Sequence, residues 1–136
     1  MNTPNELTIV IPAKNEAKLI PRLLTSLTNQ DYSKMSSTRV LVADASSTDG
    51  TPEIVMSFRD RLNVSVIRGG MPSVGRNRGA AQAESQYVLF LDADIELADT
   101  SLLRRCMERA QSGQHFPGLL GRLRGRLRPG NRHQPV

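Results

Sequence analysis

The 136-residue chain has one cysteine, no tryptophan, two tyrosines and three phenylalanines. A lone thiol, Cys106, excludes an internal disulfide, and no group of Cys and His has metal-ligand spacing, so a disulfide or zinc scaffold is ruled out and a reducing, cytoplasmic setting is expected. No run of about 18 apolar residues occurs, and Met1 to Glu6 lacks an apolar h-region, so neither a membrane span nor a signal peptide is expected. Acidic residues are missing from one region: residues 110–136 contain five Arg and no Asp or Glu, whereas residues 1–109 carry 13 basic and 13 acidic side chains. The net charge of +5 therefore belongs to the C-terminal segment, and the balanced body is not a basic nucleic-acid-binding domain. The Gly-x-Gly-x-x-Gly fingerprint and the Gly-x-x-x-x-Gly-Lys-Ser/Thr loop are also absent after the first strand, which argues against nicotinamide enzymes and P-loop nucleotide hydrolases.

What is present alternates between two periodicities. Leu7 to Ile11 is an apolar β-branched run stopped by Pro12, suited to a strand buried on both faces. Leu19, Ile20, Leu23, Leu24 and Leu27 recur at helical spacing, with Pro21 near the helix start. Val40 to Ala43 reads as a second strand. Thr51-Pro52-Glu53 then reads as an N-cap, a first-turn proline and an acid beside the positive helix end. Asn63 to Ile67 alternates into a third strand, and Ser73 to Ala83 reads as a third helix. Tyr87 to Leu91 is the most apolar strand, and a fourth amphipathic helix begins near Thr100 or Ser101. Strands separated by helices predict one α/β domain, a mostly parallel sheet flanked by helices on both faces.

Residues 1–112 form that domain, and residues 113–136 read as a basic tail without regular structure, since 110–136 hold five Gly, three Pro and five Arg in 27 positions. Leu119, Leu120, Leu123 and Leu127 are spaced as in a helix among arginines, an alternative that would make a basic amphipathic arm for an anionic membrane surface. Gly121 and Gly125 weigh against it.

In an open α/β sheet, ligands gather at the carboxyl ends of the strands. Those ends carry Pro12-Ala13-Lys14-Asn15-Glu16, Asp44-Ala45-Ser46-Ser47-Thr48-Asp49 and Asp92-Ala93-Asp94. Asp92 and Asp94, two apart beyond a buried strand, project to one face if extended and can present hard oxygen donors to one cation; the plainer alternative is a helix-capping Asp94 or Asp99 beside a solvated Asp92. Asp44 is placed either to accept hydrogen bonds from a nucleoside or to open an Asx-turn. Arg76 and Arg78 stand early in the third helix, either meeting phosphate or lying on a solvated face.

Four segments together resemble the nucleotide-sugar-binding half of family 2 glycosyltransferases, which have the Rossmann-like GT-A fold. Thr8 to Glu16 resembles the family's opening strand and Asn-Glu loop, and Ala43 to Thr51 its Asp-rich second loop. Gly75-Arg76-Asn77-Arg78-Gly79 is similar to its Ala-Arg-Asn-x-Gly helix, and Phe90 to Asp94 to its metal-binding strand end. The resemblance implies that Pro12, Asn15 and Glu16 border the nucleotide, that Asp44 meets the base and that Arg76 lies near the nucleotide or diphosphate. It further implies that Asp92 faces the ribose or the metal, and that Asp94 holds Mg²⁺ or Mn²⁺ against the diphosphate of a UDP- or GDP-linked sugar during inverting transfer. Ala45 departs from the commoner Asp-Asp pair of the second loop.

The family's second half supplies the acceptor site and a general base, whereas this chain has no Asp or Glu side chain after Glu108. The expectation is a donor domain cut short after the metal-binding strand and its following helix by truncation or a frameshift, with no catalytic base assigned. A natural module that binds a nucleotide sugar without transferring it, or an interaction module at a membrane surface, is the alternative. A sugar nucleotidyltransferase is disfavoured by the missing Gly-rich loop. An unpaired sheet edge left by such a cut predicts a homodimer or aggregation.

Overall fold

Leu7–Ala13 (β1) is buried over all but one of its seven residues, as a strand covered on both faces of a parallel sheet must be. In the computed structural model, residues 6–113 are described in full and residues 126–129 as backbone. The other elements follow as α1 (Ile20–Thr28), β2 (Arg39–Asp44), α2 (Thr51–Met56), β3 (Asn63–Arg68), α3 (Pro72–Gln82), β4 (Tyr87–Phe90), α4 (Leu102–Gln111) and β5 (Arg126–Pro129). The strand order is β3-β2-β1-β4-β5, with the first four parallel and β5 antiparallel to β4.

The order in which strands are added reverses at β1. After β1 the strands step outward through β2 to β3, and the next crossover returns to the other side of β1 to place β4. Right-handed crossovers then put α1 and α2 on one face and α3 on the other. The buried clusters agree. Ile20, Leu23, Leu24 and Leu27 of α1 share the larger one with Val55 and Phe58, with Leu103 and Cys106 of α4 and with Ile9 and Ile11 of β1. Ala80 and Ala83 share the smaller one with Val10, Val88 and Phe90. Helix α3 meets the sheet through small residues: a Cβ at Gly79 would lie 2.4 Å from Val10 Cγ1, so only glycine admits this approach.

Two expectations are corrected. Thr51 does not cap α2: Gly50, at φ 89°, takes that position, and Thr51 sits buried inside the first turn with its hydroxyl turned to neighbouring loops. A left-handed residue is reached more easily by glycine than by threonine, which moves the boundary by one. Residues 126–129, expected to lack regular structure, pair with β4 as an edge strand, because the outer edge of β4 offers unpaired backbone groups to an antiparallel partner. The edge expected to lie open is thus occupied, and β3 is the other edge, with Asn63, Ser65 and Arg68 exposed along it. Most of the amphipathic segment proposed over Leu119 to Leu127 lies outside the described residues. No described helix is long and apolar enough to cross a membrane.

The segment between β4 and α4 is pinned to α1. Buried Gln30 donates from Nε2 to the Asp99 carbonyl at 2.8 Å and accepts the Leu103 N–H at 3.0 Å, while Ser26 Oγ accepts the Leu97 N–H at 3.0 Å. A buried amide satisfied at both ends fixes the path of the loop that carries Asp92 and Asp94.

Candidate functional site

The loops that follow β1 and β2 are laced together by side chains. Ala45 N–H donates to the Ala13 carbonyl at 2.9 Å, extending the strand ladder. Asn15 N–H donates to Ser47 Oγ at 2.7 Å, and Asn15 Oδ1 accepts the Thr48 N–H at 2.8 Å. Thr51 Oγ1 accepts the Glu16 N–H at 3.0 Å and donates to Asp49 Oδ1 at 2.5 Å, while Asp49 Oδ2 accepts the Ala17 N–H at 3.0 Å. The Thr51 hydroxyl bond, joined by backbone amides, holds the Asp49 carboxyl below its ordinary value. Asn15 and Ser46 both take left-handed backbone, at φ 52° and φ 57°, which turns each loop back toward the other.

Beside these loops lies a cleft of about 790 Å³ at the carboxyl edge of the sheet. It opens where the strand order reverses between β1 and β4, the position at which open α/β sheets hold ligands. Lys14, Arg68 and Arg76 supply its cations; Glu16, Asp92 and Asp94 supply its anions. Burial, and then the charges of Asp94, Asp49 and Asp92, push the Glu16 carboxyl above its ordinary value. Negative potential is therefore concentrated on the Glu16, Asp92 and Asp94 side. Among the described residues no three His, Cys, Asp or Glu side chains are close enough to hold a metal ion by themselves. Asp92 and Asp94 nevertheless present the hard oxygen donors that Mg²⁺ or Mn²⁺ accepts, and such ions are commonly held by one or two carboxylates with phosphate oxygens and water completing the set. The donor chemistry fits a cation that arrives with a phosphorylated ligand.

Helix α3 brings its first turn to the cleft. Met71 and Pro72 line it, and a Cβ at Gly75 would lie 3.2 Å from Ala43 Cβ and 3.4 Å from Pro12 Cβ, so the helix start rests on the ends of β1 and β2. Its unpaired N–H groups add partial positive charge there. Arg76 lines the cleft, whereas Arg78 Nη1 turns away to the Gly69 carbonyl at 3.2 Å.

Of the residues singled out in the sequence, Pro12, Glu16, Arg76, Asp92 and Asp94 are brought together on the cleft. Asn15 and Asp44 are outside its lining and act as scaffold. Asp44 forms the Asx-turn: Oδ2 accepts the Ser47 N–H at 3.0 Å and Oδ1 the Ser47 hydroxyl at 2.7 Å. Lys14, Arg68 and Met71 line the cleft without having been anticipated. Lys14 stands inside the quoted first loop. Arg68 carries no motif, and only the strand order brings it to the site.

The sequence model of glycosyl transferase family 2 matches residues 8–122. The chain belongs to this family. Poly(ribitol-phosphate) beta-N-acetylglucosaminyltransferase TarS of Staphylococcus aureus strain Mu50 is 39% identical over 93 residues, which are 65% of this chain and 16% of TarS. The crystal structure of S. aureus TarS 1–349 in complex with UDP-GlcNAc superposes with a TM-score of 0.71 at 33% identity, covering 79% of this chain and 31% of that one. Mannosyltransferase PcManGT from Pyrobaculum calidifontis, in complex with GDP-Man and Mn²⁺, gives a TM-score of 0.65 at 27% identity over 75% of this chain and 31% of that one. The parallel strands and flanking helices are thus those of the GT-A fold. This family 2 chain spans less than a third of each of these relatives.

Proposed function

We propose that this chain is the donor half of an inverting glycosyltransferase and binds a UDP- or GDP-linked sugar with Mg²⁺ or Mn²⁺. One observation carries the reading: a single cleft at the switch point brings Arg76 and the start of α3 together with Asp92 and Asp94. A diphosphate alone would be repelled by the carboxylates, and a cation alone by the guanidinium groups; the two together satisfy both. The mannosyltransferase relative, bound to GDP-Man and Mn²⁺, supports the pairing.

Each residue then has a physical task. Asp94, with Asp92, would hold the cation; Arg76 and the α3 amides would hold phosphate oxygens; Pro12 and Glu16 would border the nucleotide from β1. Asn15 and Asp44 would act by fixing the loops, with Asp44 retaining lone pairs that a nucleoside can use. A bound divalent cation supplies charge stabilisation to the departing diphosphate. Residues 109–136 hold no Asp or Glu, so the base that takes the acceptor's proton is not drawn from them. The setting proposed is cytoplasmic, with acceptors at the inner membrane face.

Calorimetric titration of the chain with UDP and GDP, with and without Mn²⁺, tests the proposal. Binding that needs Mn²⁺ is expected. No binding of either nucleotide by the folded chain would overturn it.

A further inference from the structure

Asp94 stands midway between two backbone anchors. On one side the Leu91 N–H donates to the Val10 carbonyl at 3.0 Å, continuing the β1–β4 ladder; on the other the Leu97 N–H donates to Ser26 Oγ at 3.0 Å. Between them Ala93 is buried in the larger core and Ile95 packs against it, while Asp92 and Asp94 line the cleft. Apolar packing has no direction and sets only the depth of such a segment. Hydrogen bonds set its register.

Those bonds come from one stripe of the α1 segment. Arg22 and Ser26 in α1, and Gln30 just beyond its end, follow at intervals of four, so they share a face. They meet the β4–α4 segment in chain order. Arg22 pairs with the exposed Glu96 carboxylate at 3.0 Å, Ser26 holds Leu97, and Gln30 holds the Asp99 carbonyl and the Leu103 N–H. The Asp31 N–H adds a bond to the Thr100 carbonyl at 2.8 Å. Ser26 donates its hydroxyl to the Leu23 carbonyl of its own helix at 2.7 Å, which leaves its lone pairs for Leu97. Leu97, Leu102 and Leu103 are themselves buried in the larger core, so the polar stripe is not what keeps the segment on the body. Neither Ser26 nor Gln30 lines the cleft.

Resting on the donor-site reading above, we propose that Ser26 and Gln30 are positioning residues for cation-dependent binding: from outside the cleft they fix the register of residues 97–103, and through it the place of Asp94. A carboxylate that shares one small cation with phosphate oxygens tolerates little displacement. Partners behind a metal ligand are commonly worth about 10–100-fold in metal affinity. Ser26 acts through the backbone between Leu97 and Asp94 rather than on the carboxylate itself, so the lower end of that range is expected.

The test is calorimetry on the full chain with the better-binding of UDP and GDP, in Mn²⁺ and in EDTA, for the wild type, Ser26→Ala, Gln30→Met and each of these combined with Asp94→Ala. Ser57→Ala is the control, because Ser57 makes the same hydroxyl bond at the end of α2, to the Ile54 carbonyl at 2.6 Å, away from the segment. Ser26→Ala and Gln30→Met should weaken Mn²⁺-dependent binding about tenfold, leave binding in EDTA unchanged, and have no further effect once Asp94 is alanine. Ser57→Ala should match the wild type. Equal losses in Mn²⁺ and EDTA, or the same loss with and without Asp94, would assign both side chains to the fold alone and overturn the proposal. Unchanged Mn²⁺-dependent binding in Ser26→Ala, which removes one hydroxyl and decides the matter where Gln30→Met does not fold, would also overturn it. A wild type without Mn²⁺-dependent binding overturns the donor-site reading itself.

Discussion

Asn15 Oδ1 accepts the backbone N–H of Thr48 at 2.8 Å, so that a left-handed residue in the first loop holds the second. Asparagine tolerates this backbone region, whereas alanine pays a Cβ penalty there in addition to losing the bond. Asn15→Ala is expected to lower stability by about 1–2 kcal/mol, and Asn15→Gly, which keeps the backbone but loses the bond, by about 1 kcal/mol or less. Urea denaturation of both variants checks the order. An alanine variant as stable as the glycine variant would show that the left-handed conformation is not required.

Gly79 marks the tightest contact between α3 and the sheet. On an exposed helix, Gly→Ala stabilises by about 1 kcal/mol. At Gly79 the added methyl would meet Val10 Cγ1 at 2.4 Å, and the helix must shift. Gly79→Ala should therefore destabilise by about 1–3 kcal/mol, and Val10→Ala in the same chain should recover part of that loss. Urea midpoints of the two single variants and the double variant measure the coupling. Additive effects would contradict the packing.

Acid sensitivity should arise at the opposite end of the sheet. Burial alone would raise the Glu6 carboxyl, but hydrogen bonds from Lys34, Tyr32 and Gln111 outweigh it and hold the group below its ordinary value of 4.5. A carboxyl lowered on folding contributes stability that is fully present above its unfolded value and is lost as pH falls through the folded one. Glu6→Gln should therefore flatten the decline in stability below about pH 4.5. Urea midpoints measured from pH 7 to pH 3 for both proteins check this. Parallel curves would assign the acid loss elsewhere.

The strand ends of the site were legible because apolar runs stop abruptly at Pro12, Asp44 and Asp92, and three such stops on parallel strands must share one edge. Their partners were less so. Asp44 had two readings from sequence, and the choice depended on where Ser47 turns its hydroxyl. Arg68 is one of 18 basic residues with no motif around it, and its place on the cleft follows from β2–β3 register, a long-range fact. Gln30 was also passed over, although it fixes the β4–α4 segment, because a lone glutamine shows nothing locally of the amides 69 and 73 residues away that it meets. At 126–128, Arg-Leu-Arg alternates with period two, a strand signal that the leucine spacing over 119–127 masked.

If a nucleoside diphosphate and a divalent cation occupy the cleft together, Asp94 is the side chain that joins them to the protein. Calorimetric titration of the better-binding of UDP and GDP into wild type and Asp94→Ala, each with Mn²⁺ and with EDTA, tests it most directly. Mn²⁺-dependent binding to the wild type is expected, weakened at least tenfold in Asp94→Ala, whose residual binding no longer responds to Mn²⁺. Equal affinity of the two proteins in Mn²⁺, with the variant still folded, would contradict it.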